Sequence, residues 1–116
     1  MKKAVTIKEN YEFRRMYRKG ASAVSSSMVV YCRRNQLGRN RLGLTVSVKV
    51  GKAVVRNRCR RRIREVYRLA QPRMKQGYDL VVVARSRCCN GPYLKLSAAF
   101  DKALSQLGLL LPEGDR

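Results

Sequence analysis

Between Lys52 and Ala70 the chain is constrained to one kind of helix, apolar along a single stripe and cationic elsewhere. Cys59, Ile63, Val66, Tyr67 and Ala70 recur at spacings of three and four. At roughly 100° per residue such positions stack into one stripe. Pro72 stops the helix, because proline loses the backbone N–H and clashes with the preceding turn. Upstream, Leu42, Leu44, Val46 and Val48 alternate with Gly43, Thr45 and Ser47, the period of a half-buried strand, and Gly51 ends it. Downstream, Gly77 opens a strand over Tyr78 to Ala84 whose Val81, Val82 and Val83 predict burial on both faces. Strand, helix and strand in succession predict a parallel pair joined across the helix.

The remaining elements are legible from shorter signals. Thr6 and Glu9 have the spacing of a capping box, in which a hydroxyl and a carboxylate satisfy the first N–H groups of a helix. Phe13, Met16 and Tyr17 follow at helical spacing and Gly20 is a stop, so the pattern predicts a helix over Lys8 to Lys19. Ala21 to Val24 reads as a short strand and Met28 to Arg33 as a second. Arg33 to Arg41, polar with Gly38, reads as a hairpin connection, and Arg85 to Pro92 as a basic loop broken by Asn90, Gly91 and Pro92. Leu94, Leu96, Ala99, Phe100, Ala103, Leu104 and Leu107 trace a last helix, and Leu109 to Arg116 reads as a flexible tail. The expected fold is an α/β (α+β) two-layer sandwich of order αβββαβα. It has three helices on a mixed, mostly antiparallel four-stranded sheet, in one domain over residues 1–116.

Charge points to the partner. Against 27 Lys and Arg stand 7 Asp and Glu, a formal net charge of +20. Self-repulsion on that scale opposes compaction, so a polyanion is the expected partner. Six of the nine residues from Arg56 to Arg64 are Arg. The planar guanidinium grips phosphate with two N–H groups and stacks on bases, which an ammonium does not. Asn57, Arg60, Arg61, Arg64 and Arg68 fall on one side of the apolar stripe, and Arg58, Arg62 and Glu65 on the other. A merely solvated face mixes signs at i and i+4, whereas here only Glu65 offsets the arginines. Lys49 and Lys52 flank Gly51 at the helix N-terminus, where backbone N–H groups can hold phosphate. The GxxxxGK[ST] pattern of a P-loop is absent.

Composition removes several chemistries. With 0 His, neither a Ser–His or Cys–His nucleophile pair nor a His-ligated metal is available. The acids Glu9, Glu12, Glu65, Asp79, Asp101, Glu113 and Asp115 are scattered. A two-metal nuclease needs several carboxylates converging on ions about 4 Å apart. Metals for any nucleic-acid cleavage are therefore expected on another molecule. Cys32, Cys59, Cys88 and Cys89 form no CxxC pair and are expected as thiols in a reducing cytoplasm, with Cys32 and Cys59 in the core. No apolar run approaches the ~20 residues of a membrane span. The N-terminus turns polar after Ile7, unlike a signal peptide.

These residues resemble the protein subunit of bacterial ribonuclease P. KVGKAVVRNRCRRRIREVYR, from Lys49 to Arg68, is similar to that family's RNR signature. IKENYEFRRMYRKG from Ile7, GLTVSVKVGKAV from Gly43 and YDLVVVAR from Tyr78 also resemble it, so the likeness runs from about Thr6 to Phe100. The resemblance implies a left-handed crossover between the parallel strands, opposite to the general rule. It implies a ribonucleoprotein that removes the 5′ leader of precursor tRNA, with the RNA subunit and its magnesium ions performing hydrolysis and no obligatory protein partner. Lys49, Lys52, Ala53, Arg56, Asn57, Arg58, Arg60, Arg61, Arg64 and Arg68 are then expected to bind the RNA subunit. Phe13, Tyr17 and Tyr31 match aromatic positions of the family's leader cleft. Val48 replaces a basic residue found in many members, Arg62 an aliphatic one, and Arg60 a common Lys.

Other readings predict different features. A non-enzymatic ribosomal or structural RNA-binding protein would share charge, size and fold class, and the RNR block and the aromatics speak against it. A DNA reader would carry more Asn or Gln for base edges than Asn57 alone. A membrane-surface helix would carry Trp, Phe or Leu on its apolar stripe.

Overall fold

Alternation of buried and exposed side chains divides the sheet into two faces in the computed structural model, which describes residues 6, 7, 9–88 and 91–112. The strands are β1 (Ala21–Val24), β2 (Met28–Arg34), β3 (Arg41–Thr45) and β4 (Tyr78–Ala84), in the spatial order β1-β2-β4-β3. β1 pairs antiparallel with β2, and β2 with β4, whereas β3 and β4 run parallel. The parallel strands bracket the helix α2 (Ala53–Ala70), as the strand–helix–strand pattern predicts. β4 has neighbours on both edges, and Val81 and Val82 are each 0% exposed although they point to opposite faces.

The segment from Arg33 to Arg41 is not a hairpin. β4 lies between β2 and β3, so the segment joins strands that do not pair. It turns through Gln36 and Gly38, both at positive φ. Turn residues carry the same local signal in either topology. The difference lies with β4, which is apolar enough on both faces to take an interior place in the sheet.

On one face, Met28, Val30, Cys32, Leu42, Leu80 and Val82 pack against α2 and α3 (Tyr93–Gln106). α2 buries Cys59, Ile63, Val66, Tyr67 and Ala70, the predicted stripe. α3 buries Leu96, Phe100, Ala103 and Leu104. Removing a Phe or Ile side chain from water contributes about 1.5–3 kcal/mol, which makes this face the main source of stability. Leu94, expected on the apolar side of α3, is instead 78% exposed in its first turn.

The helix α1 (Asn10–Lys19) crosses the opposite face. Ile7, Met16 and Val81 form a smaller cluster there, with Phe13, Tyr31 and Val83 against it. Arg41 pins the helix to the sheet. Its guanidinium donates to Asp79 Oδ1 at 2.8 Å, Asp79 Oδ2 at 2.6 Å and Glu12 Oε2 at 2.8 Å. The hydrogen bond to Asp79 is the main cause of a guanidinium pKa raised above its ordinary value. α1 starts at Asn10, Lys8 lying outside the described residues, and its N-cap Glu9 makes no side-chain capping bond. Thr6 forms a parallel bridge to Leu42 instead, so the expected capping box is replaced by strand-like pairing. Gly20 ends α1 at an ordinary φ of −77°, and a Cβ there would stand 2.7 Å from the Met16 carbonyl oxygen. Close approach, not a left-handed backbone, requires this glycine.

Two further expectations are corrected. β3 ends at Thr45, and Val48 lies in a 3₁₀ turn over Val48–Val50 with 74% of its surface exposed. The segment from Leu109 is not a loose tail: Leu109 is 1% exposed and its carbonyl accepts from Lys75 N at 2.8 Å. Leu111 N donates to Arg73 O at 2.7 Å, and Leu110 bridges Met74 antiparallel. Residues 113–116 lie outside the described residues. The apolar run Leu109, Leu110 and Leu111 was a signal for burial that the terminal position obscured.

Cys32, Cys59 and Cys88 are buried thiols, and Cys89 lies outside the described residues. Burial pushes the Cys32 pKa up, which keeps the thiol protonated and unreactive. The melting temperature is expected to be the same with and without a thiol reductant or a zinc chelator. A fall of several degrees with either reagent would contradict this.

Candidate nucleic-acid interface

The cationic helix begins without side-chain help. Lys52 is the N-cap of α2 and makes no capping bond, and no acid occupies the first turn. The leading N–H groups of α2 therefore have no side-chain acceptor from the cap, beside the exposed Lys49, Lys52 and Ala53. Arg58, Arg61 and Arg64 are exposed on the body of the helix. Asn57 Oδ1 accepts from Arg60 Nη1 at 2.9 Å, which leans the Arg60 side chain along the helix.

Three arginines depart from the simple wheel. Arg68 is drawn to Glu65, its Nη2 2.6 Å from Glu65 Oε1, although the wheel sets the two on different sides. Residues three apart are near neighbours on a helix, and the long guanidinium stem spans the gap. The bond from Arg68 lowers the Glu65 pKa and raises that of Arg68. Arg56 is half-buried beside the core stripe, and its Nε has no hydrogen-bond partner among the described residues. Arg62 donates from Nη2 to the Gly91 carbonyl at 3.1 Å just ahead of α3. The contiguous cationic wall thus comprises Arg60, Arg61 and Arg64.

The aromatic residues do come together. Tyr17 and Tyr31 meet edge to face, with ring centres 5.2 Å apart and an interplanar angle of 69°. The Tyr17 hydroxyl lies 2.8 Å from Thr45 Oγ1, which fixes the ring at the end of β3. Phe13 and Tyr31 are half-buried, whereas Tyr17 is 40% exposed. Phe13 lies directly over Gly43: a Cβ there would stand 2.9 Å from Phe13 Cε1 and Cζ. Gly43→Ala must displace that ring, and overpacking of this kind costs about 1–3 kcal/mol. Urea unfolding is expected to report a loss in that range, and unchanged stability would show that the ring is not seated on Gly43.

Phe13 and Tyr17 line an open groove of about 540 Å³. Asn10, Arg14 and Thr45 also line it, and so does Arg60 from α2. Asn10, Phe13, Arg14 and Tyr17 follow the i, i+3, i+4, i+7 spacing, so the sequence alone could have yielded Asn10 and Arg14. Thr45 and Arg60 could not be found that way, because only the folded sheet brings them to α1.

Acidic groups are largely committed. Among the described acids, Glu12 and Asp79 are bonded to Arg41 and Glu65 to Arg68, Asp101 forms an ion pair with Arg73, and Glu9 stands outside any ion pair. No group of three or more His, Cys, Asp or Glu is placed to hold a metal ion among the described residues. No helix among them is long and apolar enough to cross a membrane.

Fold and site together define a small basic α+β protein with two adjoining surfaces suited to a polyanion. The family model for Ribonuclease P matches residues 1–108. The chain belongs to the ribonuclease P protein family. It is 44% identical over 110 residues to the ribonuclease P protein component of Natranaerobius thermophilus, covering 95% of this chain and 96% of that protein. It is 40% identical over 115 residues to the component from Symbiobacterium thermophilum, covering 98% and 100%. The RNase P protein structure from Staphylococcus aureus superposes with a TM-score of 0.83 at 33% identity, over 94% of this chain and 100% of that one. The Thermotoga maritima RNase P protein gives 0.76 at 26% identity, over 88% and 94%.

Proposed function

We propose that this chain works in the cytoplasm as the protein subunit of a ribonuclease P ribonucleoprotein, holding two RNAs at once. The cationic wall of α2 and the open N-terminus of that helix grip the catalytic RNA. The groove of Phe13 and Tyr17, with Tyr31 beside it, receives the single-stranded 5′ leader of precursor tRNA. The observation that carries this reading is the position of Arg60, which belongs to the arginine helix and also lines the aromatic groove. One surface therefore passes into the other.

Hydrolysis falls to the RNA subunit and the magnesium ions it holds. The pairing of Glu12, Asp79, Glu65 and Asp101 with arginines, which leaves Glu9 as the one described acid outside an ion pair, supports that division. The protein contributes affinity and orientation: phosphate attraction along the arginines and sequence-tolerant stacking on the aromatic rings. Reconstitution tests the reading. At low magnesium, the chain with a bacterial ribonuclease P RNA is expected to cleave precursor tRNA at the leader junction, and neither component alone should do so. Cleavage by purified protein that survives ribonuclease treatment of the preparation would overturn it.

A further inference from the structure

A second pocket lies across α1 from the aromatic groove, between the first turns of that helix and the ends of β2, β3 and β4. It encloses about 390 Å³ and is lined by Tyr11, Arg15, Arg33 and Arg34 in front of the Arg41, Glu12 and Asp79 network. Arg41 offsets one of the two carboxylates bonded to it, so the lining stays cationic: Arg15, Arg33, Arg34 and Arg41 stand against Glu12 and Asp79, and Asn35 Nδ2 also donates to Asp79 Oδ1 at 2.8 Å. Among the described residues, Arg15, Arg33 and Arg34 have no acid partner within ion-pair distance. Arg33 Nη1 is buried without a hydrogen-bond partner. A buried guanidinium N–H left unsatisfied is costly, and an anion in the pocket would satisfy it. Tyr11 stands at the rim, 57% exposed, with the Arg15 guanidinium 5.8 Å from its ring centre. A large ring so exposed is of little use to the core, and its pairing with a cation makes it a platform for a flat ligand.

We infer that this pocket binds a nucleotide of single-stranded RNA, its base on Tyr11 and its phosphate against Arg15, Arg33 and Arg34. The combination matches the general means of holding a single strand, a ring for the base beside cations for the backbone. The site is separate from the groove of Phe13 and Tyr17, since α1 stands between them. The inference rests on the ribonuclease P reading only in that RNA is at hand. Two segments offer the same chemistry: leader nucleotides further from the cleavage site, and an unpaired stretch of the RNA subunit.

The test uses the reconstituted holoenzyme with Tyr11→Ala, Arg34→Ala and Tyr11→Phe. Tyr11 and Arg34 are exposed, so folding should be retained, and circular dichroism checks it. Affinity is measured for precursor tRNAs with a short and a long leader, and for the RNA subunit. Tyr11→Ala and Arg34→Ala are each expected to weaken RNA binding about five- to tenfold, with Tyr11→Phe near the parent. A loss confined to the long-leader precursor assigns the nucleotide to the leader, and an equal loss in RNA-subunit affinity assigns it to that RNA. Unchanged affinity in every arm overturns the proposal, as does a Tyr11→Phe variant as weak as Tyr11→Ala. Phe13→Ala, run alongside, reports on the leader groove separately, so its failure would not be mistaken for failure of this pocket.

Discussion

Replacing Arg61 and Arg64 together by Ala is expected to lower affinity for the RNA subunit by about a hundredfold at low salt. Both side chains are exposed on α2, and neither has an acid partner among the described residues. A hydrogen bond to a charged group contributes about 1.5–3 kcal/mol, so tenfold for each arginine is a modest estimate. The salt dependence should flatten as well, because each lost phosphate contact changes the log–log slope by about 0.7 to 0.9. Folding should not suffer. Relief of like-charge crowding should stabilise α2 by a few tenths of a kcal/mol. Equal slopes for parent and double variant would mean that these arginines only decorate a solvated helix.

The second large effect concerns substrate over product. Tyr17→Ala, Tyr31→Ala and Phe13→Ala should each reduce the preference of the holoenzyme for precursor over mature tRNA, and leave RNA-subunit affinity nearly intact. Each base stacked on a ring contributes about 1–3 kcal/mol whatever the base, so the loss should be about five- to 150-fold per effective stack. Tyr17 is the cleanest of the three, being the most exposed. Phe13 also holds α1 onto Gly43, and its truncation should lower stability as well as the ratio. Tyr17→Phe separates the ring from its hydroxyl: it breaks the bond to Thr45 but keeps the stacking surface. An unchanged precursor-to-mature ratio in folded variants would mean that the leader does not stack on these rings.

Much of this architecture was legible because its strongest elements carry strong periodicity. The α2 stripe and the bounds of β4 follow directly from the spacing of apolar residues and from Pro72 and Gly77. Sheet order was not legible. The segment between β2 and β3 has turn residues fit for a hairpin, and only the placement of β4 in the sheet interior makes it a crossing link. The capping box at Thr6 failed because backbone pairing to Leu42 competes for the same residue. The wheel sets Arg68 on the cationic side because it fixes where a side chain leaves the helix, not where its end goes; the salt bridge draws that end to Glu65. The aromatic cluster came from resemblance, since periodicity alone would place Phe13 and Tyr17 in a core. Their meeting with Arg60 required the sheet to bring α1 and α2 to neighbouring edges of one groove.

The central claim is that two RNAs occupy two adjoining surfaces of one small protein. The most direct measurement is site-specific photo-cross-linking in the reconstituted holoenzyme with precursor tRNA bound, the photoreactive residue p-benzoylphenylalanine replacing Tyr17 in one preparation and Arg61 in another. The account predicts that position 17 attaches to the leader of the precursor and position 61 to the RNA subunit. Attachment of both positions to the same RNA, or of position 17 to the RNA subunit alone, would contradict it.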